Sequence, residues 1–121
     1  MGNLNLERCI WGDEYRIEQV LQNLLTNALE HTPAGGRVTL TVNGDNAATR
    51  VNVHNTGRGI EPQALEHVFE RYYHEATTES RGSSGLGLAI AWQIMQAHHG
   101  SLSATSTVGQ GATFTATFPA I

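Results

Sequence analysis

A chain of 121 residues falls within the size of one domain and can bury a two-layer core without disulfides or a structural metal. Seven Lys and Arg against eleven Asp and Glu give a net charge of −4; basic residues this few and scattered exclude non-specific nucleic-acid binding, while a small anionic ligand needs only local positive potential. No apolar stretch approaches the roughly 18 residues of a membrane span, no secretion signal opens the chain, and the single cysteine, Cys9, permits no internal disulfide, so the expectation is a cytoplasmic setting without direct membrane contact and Cys9 as a small buried hydrophobe.

From Glu14 to His31 the apolar residues Ile17, Val20, Leu21, Leu24, Leu25, Ala28 and Leu29 recur at helical spacing, with Asp13 as N-cap and His31-Thr32-Pro33 as the stop, which predicts an amphipathic helix. Two alternating, β-branched runs, Arg37 to Val42 and Thr49 to His54, predict a hairpin turned by Asn43-Gly44-Asp45-Asn46, residues that tolerate positive φ. Pro62 suits a first helical turn, and Ala64, Leu65, Val68 and Phe69 place a short helix after it. His74 to Ser84 has no periodicity and is rich in Thr, Ser and Gly, which predicts a mobile loop. A second long helix is expected from about Gly85 to His98, stopped by Gly100. Ser101 to Thr107 and Ala112 to Phe118 then alternate as two strands around Gly109-Gln110-Gly111. There is no internal repeat and no linker, only Met1-Gly2-Asn3 as a frayed end. Elements in this order predict a single domain, an α/β sandwich in which helices cover one face of a mixed sheet.

Asn23 and Asn27 stand four apart on the first helix, so their carboxamides share one face at the edge of the apolar stripe. Two readings fit: surface amides, or neutral oxygen ligands for Mg²⁺, which is usually shared with substrate phosphates. Asn55-Thr56-Gly57-Arg58-Gly59-Ile60 directly follows a strand; its glycines fit a plain turn or a backbone that approaches a ligand closely. Gly82-Ser83-Ser84-Gly85-Leu86-Gly87-Leu88-Ala89 opens the second long helix, where unpaired N–H groups and the helix dipole favour phosphate. Gly85-x-Gly87 belongs to neither the Rossmann fingerprint nor the P-loop. The six histidines lack a zinc-type spacing, and the adjacent His98 and His99 read as a surface helix end.

The order of these segments carries a resemblance. Asn23 to Pro33, Asn55 to Ile60, Phe69-Glu70-Arg71-Tyr72-Tyr73, Gly82 to Ile90 and Gly109 to Phe114 resemble the N, G1, F, G2 and G3 boxes of sensor histidine kinases, in the family's order and over nearly the whole chain. The resemblance implies the Bergerat ATP-binding fold, a two-layer α/β sandwich with a mixed sheet of about five strands covered on one face by about three helices. It implies that Asn27 binds Mg²⁺, with Asn23 as companion ligand or phosphate contact. Asn55 takes the place of the family's usual Asp, which accepts a hydrogen bond from the adenine amino group; an Asn oxygen also accepts, without the charge assistance. Gly57 and Gly59, followed by Ile60, would shape the adenine pocket floor. Gly82, Gly85 and Gly87, with Leu86 and Leu88, would present amides to the phosphates, and Thr113 would bring a hydroxyl near the base. Phe69 and Tyr73 match the F box beside a lid formed by residues 74–84, although plain core packing is their other reading. His31 stands where an aromatic residue is common, so it would stack near the nucleotide. Glu30 replaces a frequent Lys or Arg and reads as a solvated charge outside the site. Positive charge for the γ-phosphate falls first to Arg71, then to Arg81 or His74.

The implied activity is that of a protein-histidine kinase: ATP with Mg²⁺ is bound and the γ-phosphoryl passes to a histidine on a separate dimerisation and phosphoacceptor domain, with a response regulator downstream. No His-Glu-Leu-Arg-like box occurs here, so this chain should bind nucleotide without completing the reaction. An ATP-driven clamp of the gyrase or chaperone type would need a catalytic Glu at position 23, which is Asn. An anti-sigma serine kinase of the same fold and a degenerate nucleotide-binding or interaction module are the alternatives.

Overall fold

The computed structural model describes residues 10–71 and 86–119. Cys9, Tyr73, His74, Arg81, Gly82, Gly85 and the expected lid over 74–84 lie outside them. The first helix, α1 (Glu14–Glu30), begins where Asp13 caps it, its carboxylate accepting from the backbone N–H of Tyr15 at 2.9 Å and of Arg16 at 3.2 Å. Next come β1 (Val38–Gly44), β2 (Ala48–Asn55), the one-turn α2 (Pro62–Leu65), α3 (Gly87–Ala97), β3 (Ser101–Thr107) and β4 (Gly111–Pro119).

Among the described residues the sheet has four strands in the order β1-β2-β4-β3, with every adjacent pair antiparallel. The expected mixed sheet of about five strands is corrected accordingly. The physical reason is the second hairpin: the crossover carries the chain to the far edge, and β4 then folds back into the gap. β2 and β3 do run the same way, but β4 lies between them, so no parallel ladder forms.

Two local devices also differ from expectation. None of Asn43 to Asn46 takes a positive φ. The first hairpin is closed instead by Asp45, which accepts from Ala47 N–H at 2.8 Å and Ala48 N–H at 3.0 Å, a side chain substituting for a backbone turn. These two N–H donors, Ala47 first, hold the Asp45 carboxyl below its ordinary value. At the end of α3 the left-handed residue is His99 (φ 63°) rather than Gly100. The N–H groups of His99 and Gly100 close back onto Gln96 O (3.0 Å) and Met95 O (2.9 Å), the paired bonds of a Schellman stop.

One sheet face is apolar and is covered except along β1, where Leu40 and Val42 stay exposed. Val20, Leu24 and Ala28 of α1 meet Ala91, Ile94 and Met95 of α3 above Val53, Leu102, Phe114, Ala116 and Phe118, and each large side chain so buried contributes about 1.5–3 kcal/mol. The opposite face is a grid of small polar groups in register: Thr39, His54, Thr113 and Thr105 form one row, Thr41, Asn52, Thr115 and Ser103 the next, and Asn43, Arg50, Thr117 and Ser101 the third.

Candidate functional site

The end of α1, the end of β2 and the start of α3 converge. α1 carries Asn23 and Asn27 one turn apart and half-buried. The Asn23 side-chain Nδ2 donates to the carbonyl of Gly87, the first residue of α3, at 2.9 Å, which brings two motifs 64 residues apart into direct contact. The Asn27 carboxamide has no hydrogen-bond partner among the described residues. The backbone carbonyl of Asn27 accepts from Nδ1 of His31 at 2.8 Å, so that nitrogen carries the proton and the imidazole is turned back onto its own helix.

Asn55, the last residue of β2, is a buried polar side chain, 4% exposed. Its Nδ2 donates to Thr56 O at 3.1 Å and, more loosely, to His31 O at 3.5 Å. Two carbonyls at one end of the carboxamide settle which end is nitrogen. Oδ1 then faces the other way and accepts nothing from the described residues. A buried acceptor in that condition costs about 1–3 kcal/mol unless a ligand or water satisfies it.

The glycine turn after β2 is braced by the β3–β4 turn. Gly59 (φ +83°) lies so close that a Cβ would sit 2.7 Å from Thr107 O, and Gly109 N–H donates to Arg58 O at 2.6 Å. Ile60 N–H donates to Ser106 Oγ at 2.8 Å, and that hydroxyl donates onward to Gly111 O at 2.7 Å. At Gly111 (φ +101°) a side chain would collide with the carbonyl oxygen of Asn55. Gly57 is packed against His31 O.

α3 begins without a side-chain cap from its N-cap residue, Leu86. Its leading N–H groups have no side-chain partner among the described residues and lie beside Asn23, while Leu88 packs half-buried against the core. Among the described residues no cluster of His, Cys, Asp and Glu could hold a metal; the amide oxygens of Asn27 and Asn23 are the donors available, and neutral oxygens suit Mg²⁺ when phosphates supply the negative charge.

The structure thus joins Asn23 to Gly87, next to Leu86, and joins His31 to Asn27, Asn55 and Gly57, while Gly59 and Ile60 are held by the β3–β4 turn and Leu88 by the core. Thr113 is not among them: it stands on the outer face, where its Oγ1 is 2.8 Å from Nδ1 of His54. The residue of β4 that shares the inner face beside Asn55 is Ala112, because β-strand side chains alternate. Arg71 and Glu30 are exposed and make no ion pair among the described residues. Phe69 is core packing, edge-on to Phe114 with ring centroids 6.0 Å apart. Ser106 escaped the sequence reading; its signal is a hydroxyl on the inward side of β3, in line with Leu102 and Ala104.

A family model described as histidine kinase-, DNA gyrase B-, and HSP90-like ATPase matches residues 12–121. The chain belongs to that family. Sensor histidine kinase RppB of Synechocystis is 42% identical over 90% of this chain and 24% of its own length, and sensor histidine kinase WalK of Bacillus subtilis is 42% identical over 88% and 18%. The chain therefore spans about a quarter or less of these curated relatives. Among solved structures, the mycobacterial sensor histidine kinase MprB superposes with a TM-score of 0.84 at 31% identity, covering 92% of this chain and 76% of that one. The catalytic domain of histidine kinase ThkA gives 0.80 at 32%, covering 92% and 70%. Within its family this is the catalytic, ATP-binding domain type of two-component sensor histidine kinases.

Proposed function

We propose that this domain binds ATP with Mg²⁺ and positions the γ-phosphoryl for in-line attack by a histidine imidazole on a separate helical domain of the same kinase, which then serves a response regulator. The observation that carries the reading is Asn55: a buried carboxamide whose Nδ2 is pinned by two backbone carbonyls and whose Oδ1 is left to accept from an adenine amino group. Gly57, Gly59 and Ile60 form the floor beside it and His31 borders it. Asn27 would hold Mg²⁺, with the Asn23 oxygen as companion, and Mg²⁺ would supply charge neutralisation at the phosphates. The leading amides of α3 from Gly87, with Gly82, Gly85 and Arg81 before them, would receive the phosphate oxygens, and Arg71 and Tyr73 would border them. Chemistry of this kind rests on positioning and charge stabilisation.

The domain's site of action would be the cytoplasm, within a membrane-anchored kinase; no helix of the described residues is long and apolar enough to cross a membrane. Calorimetric titration with ATP and Mg²⁺ tests the reading, followed by mixing with a helical histidine domain and radiolabelled ATP. Saturable binding and acid-labile label on the added domain alone are expected. No binding at millimolar nucleotide would leave a degenerate module, and label on this chain by itself would contradict the division of labour.

A further inference from the structure

The two asparagines of α1 are not equivalent. Asn27 keeps its whole carboxamide unengaged among the described residues, whereas Asn23 spends its Nδ2 on the Gly87 carbonyl at 2.9 Å. Gly87 is the first residue of α3 and lies against the Asn23 side chain: a Cβ there would lie 3.8 Å from Asn23 Cγ, ordinary van der Waals contact. The helix start it grips has no side-chain cap from Leu86; among the described residues its first turn is held by its own ladder, such as Ile90 N–H to Leu86 O at 2.8 Å, and by this contact from α1. We infer that Asn23 is a positioning residue, an amide clamp that fixes the mouth of α3 against α1 and thereby aims the leading N–H groups of α3 at the phosphates.

The inference rests on the proposed nucleotide site but assigns Asn23 a role that requires its nitrogen, where a metal ligand requires only its oxygen. The two atoms can be separated by substitution. Asn23→Asp keeps an oxygen, and a better one for a hard cation, but replaces the donor with a second acceptor facing the Gly87 carbonyl. Asn23→Ala removes both without adding charge.

Without any nucleotide, amide hydrogen exchange at Ile90 and Ala91, which close the first turn of α3, should accelerate about fivefold in both variants. Asn27→Ala should leave those amides at the wild-type rate. In EDTA, where no metal ligand can matter, Asn23→Ala should weaken ATP binding about tenfold, the equivalent of one ordinary hydrogen bond. In Mg²⁺, Asn23→Asp should fail to restore affinity, while Asn23→Gln, which keeps the donor on a longer arm, should recover part of it. Wild-type exchange at Ile90 and Ala91 in both variants, or Asn23→Asp binding Mg-ATP as tightly as wild type, would overturn the clamp. If the wild-type chain bound no nucleotide at all, the proposed function would fall while the exchange measurement still decided the clamp.

Discussion

The two long helices start in opposite ways. α1 closes its own first turn, with the Asp13 carboxylate taking two backbone donors, whereas α3 gets no side-chain cap from Leu86 and, among the described residues, is held from the side by Asn23. A helix end that serves only the fold satisfies its donors locally. One that serves a ligand leaves them open and finds its anchorage elsewhere, here through a carbonyl that the ligand does not need.

The sharpest way to break this contrast lies at the ligand end. Asn27→Ala should lower Mg-assisted ATP affinity by roughly a hundredfold, the scale of a contact to charged groups, while the ligand-free melting temperature stays within about 1 °C. A parallel loss of stability would make Asn27 a structural amide. At the fold-serving end the pattern should invert: Asp13→Ala should cost about 1 kcal/mol, about 4 °C in melting temperature for a domain of this size, with calorimetric ATP affinity unchanged. A fall in affinity would mean that the two helix starts are coupled through α1.

The smallest effect belongs to a surface pair that serves neither end. His67 Nδ1 and Glu70 Oε2 are 2.6 Å apart, and the hydrogen bond to Glu70 raises the His67 pKa above its ordinary 6.5. A raised histidine pKa stabilises fully below the unfolded value and loses that contribution as pH rises through the folded one. Thermal melts should therefore show a slight stability loss from about pH 6 to pH 8 that Glu70→Gln abolishes, and the two proteins should converge above that range. Both groups are exposed, so the effect is small.

Periodicity and stop signals made α1, α3 and both hairpins legible to within a few residues, because burial on one side imposes a repeat on the order of residues along the chain. Strand order did not follow, since the β2–β4 pairing is a long-range choice that neither strand encodes locally. Thr113 teaches a different lesson. The spacing of Ala112, Phe114, Ala116 and Phe118 already places it outward, and only the resemblance put its hydroxyl beside the base. Asn23 and Asn27 stood out as a pair, but the difference between them depends on Gly87, a partner no local pattern contains. The first hairpin turns where the sequence puts it, and only its means differ, since bonding by the Asp45 side chain makes positive φ unnecessary.

The polar grid on the free face bears on register slippage. Sliding one strand by a single residue would turn its apolar set outward, so burial forbids it. A slide of two residues keeps every apolar group inside, and the repeating threonines of β1 and β4 offer almost the same surface after such a slide as before it. The centre of β2 breaks that degeneracy. Asn52 donates to Thr41 Oγ1 at 3.3 Å and accepts from Thr115 Oγ1 at 2.9 Å, while His54 engages Thr113. An amide flanked by an imidazole and a guanidinium has no equivalent two places along. These few side chains act as index marks on an otherwise repetitive scale, and they fix the alignment that delivers Asn55 to the end of its strand.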